Sequence, residues 1–153
     1  MQTSCTVLLV ENNADDARLA ELAFERAQLR HLLVCVEDGL LAMDYLKGRG
    51  KYADRQKFPP PQYILLDLGM PGLSGFEFLE QLRQDPDLRA VPVTILSGSN
   101  YSPDVKRAYE LGVKSFLEKP SNLADFSAAL RNMMEGLTGD TGSSAASGQP
   151  EQC

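Results

Sequence analysis

At 153 residues, with 43% hydrophobic content and a formal net charge of −6, the chain can bury one good core and has no basic cluster suited to a nucleic-acid backbone. No apolar run approaches the ~20 residues of a membrane span, and the N-terminus lacks the basic stretch and long apolar region of a signal peptide, so the cytoplasm is the default setting. Cys5, Cys35 and Cys153 are too few, and odd in number, for a disulfide framework; without a CxxC spacing, those in or beside apolar runs read as small buried hydrophobes.

The elements alternate in a fixed rhythm. A first strand is predicted from Thr6 to Val10 and runs into Glu11-Asn12-Asn13, with a helical pattern from about Asp15. The only histidine, His31, falls in a loop and reads as a solvated bystander before a second strand from Leu32 to Val36. A second helical pattern starts near Gly39. Arg49 to Gln62 is charged and ends in Pro59-Pro60-Pro61, which suits a surface loop. A third strand, Tyr63 to Leu66, is closed by Asp67 and followed by Gly69-Met70-Pro71-Gly72 and Gly75, where a third helical pattern opens. A fourth strand, Val93 to Leu96, runs into Ser97. The helix after it opens on Ser102-Pro103, an N-cap followed by proline at the first helical position, where its missing N–H costs nothing. A fifth strand, Ser115 to Leu117, leads into Glu118-Lys119-Pro120. The last helical pattern begins near Asn122, with Leu123, Phe126, Leu130 and Met133 on one stripe. From Thr138 to Cys153 the chain is rich in Gly, Ser, Thr and Ala and predicts a disordered tail, leaving one folded domain over residues 4–137.

Repeated strand–helix units joined by right-handed crossovers imply an α/β domain, a doubly wound parallel sheet with helices on both faces. The carboxyl ends of parallel strands share one edge, where ligands of open α/β sheets bind. Glu11 with Asn12, Asp67, Ser97 and Lys119 all end strands there. Close carboxylates such as Glu11 and Asp67 resist ionising unless a cation lies between them. Magnesium, a hard ion bound by one or two carboxylates plus waters and a phosphoryl oxygen, is the natural candidate. With Lys119 as a mobile positive charge and Ser97 as a hydroxyl donor, the set fits phosphoryl transfer onto Asp67, the carboxylate acting as an in-line nucleophile.

Four motifs carry a resemblance: Val7-Leu8-Leu9-Val10-Glu11-Asn12-Asn13, Leu65-Leu66-Asp67-Leu68-Gly69-Met70-Pro71-Gly72-Leu73-Ser74-Gly75, Ile95-Leu96-Ser97 and Phe116-Leu117-Glu118-Lys119-Pro120. In this order they resemble the receiver domain of two-component response regulators over nearly all of residues 5–135. The resemblance implies a flavodoxin-like fold with strand order 2-1-3-4-5. It also implies Asp67 as phosphoacceptor, Ser97 as switch hydroxyl, Phe116 as switch aromatic, Lys119 as active-site lysine and a cis Lys119–Pro120 peptide. Glu37-Asp38-Gly39, Tyr52-Ala53-Asp54 and Asp85-Pro86-Asp87-Leu88 are most similar to the single-domain regulators that accompany bacterial phytochrome histidine kinases. Such proteins form homodimers through the fourth helix, fifth strand and fifth helix, a face to which Tyr101, Val105, Tyr109, Val113 and Phe116 would contribute if they are not simply core.

Asn12 departs from the family, where a second acid normally ligates the metal. The amide keeps a carbonyl oxygen and loses the charge; at ~4 Å such a charge is worth roughly 1–4 kcal/mol, so the loss weakens the metal by about tenfold or more without excluding it. Glu11, Asp67 and the Gly69 carbonyl remain as its partners. Two readings follow. In the first, a histidine kinase phosphorylates Asp67 and the protein signals by association, with no enzymatic activity beyond its own phosphoryl transfer and dephosphorylation. In the second, Asn12 marks a receiver that works as a phosphorylation-independent binding module. A flavin-phosphate site is disfavoured by Glu11, Asp15 and Asp16, which repel an anion, and an aspartyl phosphohydrolase would want an acid where Gly69 stands.

Overall fold

The computed structural model describes residues 5–28, 31–68, 75–98, 102–120 and 122–145, with side chains in the last segment followed to Met134. Five strands form one parallel sheet in the order β2-β1-β3-β4-β5: β1 (Thr6–Val10), β2 (Leu32–Val36), β3 (Tyr63–Asp67), β4 (Val93–Ser97) and β5 (Ser115–Glu118). The connecting helices are α1 (Ala14–Arg26), α2 (Gly39–Lys47), α3 (Gly75–Gln84), α4 (Ser102–Glu110) and α5 (Leu123–Ala145). The last three strands each run one residue beyond the expected apolar stretch. Their polar ends still pair, Asp67 with Leu96 and Ser97 with Glu118, so the ladder holds the backbone of both residues at the edge.

Alternation along the strands divides the core into two layers. Leu8, Val10, Ile64, Leu66, Val93 and Ile95 pack with residues of α2, α3 and α4, among them Leu46, Phe78 and Ala108. Val7, Leu9, Tyr63, Leu65 and Leu96 face α1 and α5, against Ala20, Phe24, Phe126 and Leu130. Because β1 and β3 are central and covered on both faces, every residue of each is buried. In the α1–α5 layer the Tyr63 and Thr94 hydroxyls hydrogen-bond each other, and Thr94 Oγ1 lies 2.8 Å from Ser115 Oγ, so these three hydroxyls are paired.

Several expectations are corrected. The connection from Arg49 to Gln62 is not a bare loop: it carries a 3-10 turn (Gly50–Tyr52), and Tyr52 is buried against Tyr45 and Phe58. Arg55 donates to the Tyr45 and Tyr52 carbonyls at 2.8 and 3.0 Å and so secures the end of α2. The helix α5 is described as far as Ala145, past residue 137 where the tail was expected to begin; residues 146–153 lie outside those described. Cys5 is buried and disulfide-bonded, not a free thiol; Cys35 is the free cysteine among the described residues. Lys119–Pro120 is trans, since the described chain holds no cis peptide; trans is the form X–Pro bonds favour by about 0.5–1 kcal/mol.

His31 is not a solvated bystander. Its ring stands edge-on to Phe24, with centroids 6.3 Å apart, and both ring nitrogens are buried without a hydrogen-bond partner. Burial lowers its pKa from the ordinary 6.5. Below about pH 6.5 the unfolded chain therefore binds more protons, and this residue's contribution to stability falls as pH falls. The stability of wild type relative to His31→Leu is expected to drop on acidification below that value; an unchanging difference in urea midpoint would contradict the buried neutral ring. A second test concerns Gly75, the first residue of α3: a Cβ there would lie 2.8 Å from Leu68 Cα and 3.2 Å from the Asp67 carbonyl oxygen. Gly75→Ala is expected to cost about 1–3 kcal/mol in urea unfolding, because backbone must shift to admit the methyl.

Candidate functional site

The site is made by one edge of the sheet. Val10 pairs with Leu66 and Asp67 with Leu96, so the residues that end β1, β3 and β4 leave the ladder side by side. The Glu11 N–H continues the β1–β2 ladder by donating to the Val36 carbonyl at 2.9 Å, which draws the Glu11 side chain in with the strand. Its side chain is 2% exposed and that of Asp67 10%. From the far side, the Lys119 N–H donates to the Ser97 carbonyl at 2.6 Å, fixing the lysine backbone beside β4.

Lys119 brings the carboxylates together. Its Nζ lies 2.8 Å from Asp16 Oδ2, 3.0 Å from Glu11 Oε1 and 3.7 Å from Asp67 Oδ1. One ammonium thus faces three carboxylates. Burial pushes the Glu11 carboxyl from 4.5 up to about 7; the hydrogen bond from Lys119 opposes the rise and the charge of Asp67 adds to it. Burial alone would lower the pKa of Lys119, but its hydrogen bonds to Asp16 and Glu11, with the charge of Asp67, outweigh that and raise it. These directions agree once depth is considered. Glu11 is deeper than the ammonium and bears most of the desolvation, while Lys119 gains from every acid around it. The site is short of positive charge.

That shortage, and a donor set of hard carboxylate oxygens, fits magnesium. Glu11 and Asp67 are the residues that would hold it, with water completing the shell. The described residues contain no cluster of three or more acidic, histidine or cysteine side chains arranged for a metal. Asn12 is exposed, and the Gly69 carbonyl lies outside the described residues. Ser97 is partly buried, and the space beside Gly98 is open. Phe116 is partly buried and packs on the core layer under α2, α3 and α4.

Of the residues expected on the dimer face, Val113 belongs to the core and Phe116 packs against it, whereas Tyr109 is 49% exposed and Tyr101 lies outside the described residues. Sequence reasoning gave Asp16 no role beyond repelling an anion and missed its contact with Lys119. Asn13 caps α1 by accepting from the Asp16 N–H at 2.9 Å, but that local pattern does not show that the carboxylate reaches Lys119, just past β5.

Residues 7–131 match the response regulator receiver domain. Response regulator Rcp1 of Synechocystis sp. is 38% identical over 131 residues, covering 86% of this chain and 84% of the relative; its Mn2+-bound structure has a TM-score of 0.74 at 36% identity, covering 86% of this chain and 92% of that one. A response regulator in red light signaling of R. palustris, RPA3017, gives 0.81 at 37% identity, with 86% and 92% covered. The phosphorylated cyanobacterial phytochrome response regulator RcpA gives 0.78 at 34%, with 87% and 93% covered.

The raised Glu11 pKa has a signed consequence. Between 4.5 and about 7 the folded chain holds a proton that the unfolded chain has released, so this residue's contribution to stability declines as pH rises through that interval. Glu11→Gln removes the contribution. In magnesium-free buffer the stability of wild type relative to Glu11→Gln is expected to fall steadily across it, measured by urea unfolding; a flat difference would contradict a Glu11 that keeps its proton to neutrality.

Proposed function

The chain belongs to the response regulator receiver domain family, and on that premise we propose that it accepts a phosphoryl group on Asp67 from a histidine kinase and signals by protein association. The observation that carries the reading is a single ammonium, Lys119, within 4 Å of three carboxylates at the carboxyl edge of the sheet, Asp67 being the one it holds most loosely. Two relatives are phytochrome or red-light response regulators, which supports a bacterial phytochrome as the kinase. The described helices include none long and apolar enough to cross a membrane, in keeping with a cytoplasmic protein of this class.

In the proposed transfer, an Asp67 carboxylate oxygen attacks the phosphorus of a phosphohistidine in line with the P–N bond. The P–O bond forms as the P–N bond breaks, and the imidazole leaves with the electron pair and takes up a proton. Lys119 moves its charge onto a phosphoryl oxygen and the Ser97 hydroxyl donates to another. Glu11 holds the other side of the site, where magnesium, when bound, neutralises charge on the phosphoryl oxygens. The consequence is a charge change at the edge where β4 and β5 end, Phe116 of β5 pairing with Ile95 two residues before Ser97. A partner, including a second copy of this chain on the α4–β5–α5 face, that binds one state more tightly turns this change into output.

Intact mass after incubation with acetyl phosphate tests the reading. A magnesium-dependent gain of one phosphoryl group is expected in wild type and none in Asp67→Ala. Asn12→Asp restores a ligand charge and is expected to tighten magnesium by about tenfold. Failure of wild type to gain the group at any magnesium concentration, with uptake recovered in Asn12→Asp, would favour the phosphorylation-independent binding module.

A further inference from the structure

The acid nearest to Lys119 is neither of the two buried strand-end carboxylates but Asp16, on the first turn of α1. Its availability follows from local hydrogen bonding. In a capping box the third residue after the cap, a Glu or Gln, turns back to accept from the cap residue's own N–H. Here the Asn13 N–H is already taken by Glu11 Oε2 at 3.2 Å, and Asn13 in turn accepts from the Asp16 N–H at 2.9 Å. The Asp16 carboxylate is left to reach across to the end of β5, where it meets Lys119 at 2.8 Å. Between the two elements lies a small cleft lined by Leu9, Leu19, Ala20, Leu96 and Phe126, with Glu11, Asp16, Lys119 and Pro120 at its polar end. Among the described residues, the side chains that line the cleft offer the ammonium those acids and an otherwise apolar wall.

We propose that Asp16 is a positioning residue that parks Lys119 on α1 while Asp67 is unphosphorylated and must release it for the ammonium to engage a phosphoryl group. The inference rests on the function proposed above. The two tethers differ in strength for a physical reason. Glu11 is almost wholly buried, whereas the Asp16 side chain is 41% exposed, so its ion pair is screened by water and is the one that gives way. Asp16 also returns to the site a negative charge that Asn12 lacks, placed one helical turn away and spent on the lysine rather than on a metal. Losing it leaves Glu11 and Asp67 as the partners of Lys119 and shortens the path of the ammonium to the phosphoryl oxygen.

The test compares Asp16→Asn and Asp16→Glu with Asp15→Asn, which removes a charge from the same helical turn without touching Lys119. Competitive amine labelling read by mass spectrometry, with the exposed Lys114 as internal reference, reports the tether with no phosphorylation needed. Phosphoryl uptake from acetyl phosphate at saturating magnesium reports the positioning. Asp16→Asn is expected to raise both Lys119 labelling and the uptake rate by about two- to fivefold, the range for a screened ion pair. Asp16→Glu is expected to stay near wild type, as is Asp15→Asn. Equal labelling in Asp16→Asn and Asp15→Asn would overturn the tether, and raised labelling with unchanged uptake would overturn the positioning role. A wild type that takes up no phosphoryl group would instead sink the function proposed above, and the labelling ratio would then decide the Asp16 contact alone.

Discussion

The arrangement depends on one constraint: two carboxylates are carried into the rim of a dry sheet, and a single ammonium must serve them. Glu11 follows β1, the second strand in the sheet's spatial order, and Asp67 ends β3, its neighbour, so both lie between helices on two faces. Isolated charges at such depth cost several kcal/mol apiece. The structure answers with Lys119, whose backbone is clamped to Ser97 and whose side chain spans the gap. The answer is incomplete, and the raised pKa of Glu11 is its sign. A site left short of positive charge is primed for a cation and for a ligand that brings one with it.

Most of the fold was legible because the physics behind it is local. Apolar runs such as Val7 to Val10 and Tyr63 to Leu66 have no polar alternation, which is what burial on both faces requires, and the stripe from Leu123 to Leu130 points one way only. The strand-end polar residues were legible for the same reason: a charge that closes a dry strand has a single edge on which to emerge. Asp16 and His31 were not. Asp16 sits in a turn whose composition suits a solvated helix start, and nothing local says that its carboxylate crosses to a residue 103 positions later. His31 is buried by Phe24 of α1, a tertiary contact invisible to a one-dimensional pattern. The segment from Arg49 to Gln62 misled in the opposite direction. Its charges and prolines are real, but Tyr52 and Phe58 beneath them join the core layer under α2, α3 and α4, and Arg55 covers Tyr45 of that layer.

Asn12 and Asp16 are best understood together. The side chain that breaks the family pattern points to water, while an acid four residues further on makes the shortest contact to Lys119. A carboxylate beside the metal position strengthens the cation directly. One on α1 draws off the ammonium that would otherwise compete with the cation for Glu11 and Asp67. On the proposed function both would raise the share of those two carboxylates open to a metal, the first by attraction and the second by removing a rival.

The clamp on the lysine backbone also constrains how a change at Asp67 travels. With the Lys119 N–H held at 2.6 Å by the Ser97 carbonyl, the ammonium relocates by rotating about side-chain bonds, and β5 need not shift to let it. Ser97 has no such slack. It is the last residue of β4, is paired across to Glu118, and carries a hydroxyl on a side chain with one heavy-atom rotation. A hydroxyl drawn toward Asp67 therefore pulls on the end of β4 itself, and the element that follows is α4, whose Ala108 is fully buried in the same core layer that Phe116 joins. On the proposed function, rearrangement of that layer would carry a pull at Ser97 toward the surface, whereas rotation of the Lys119 side chain between Asp16 and Asp67 would change the charge at the site without deforming the sheet. In that reading the lysine supplies the electrostatics and the serine the mechanical coupling.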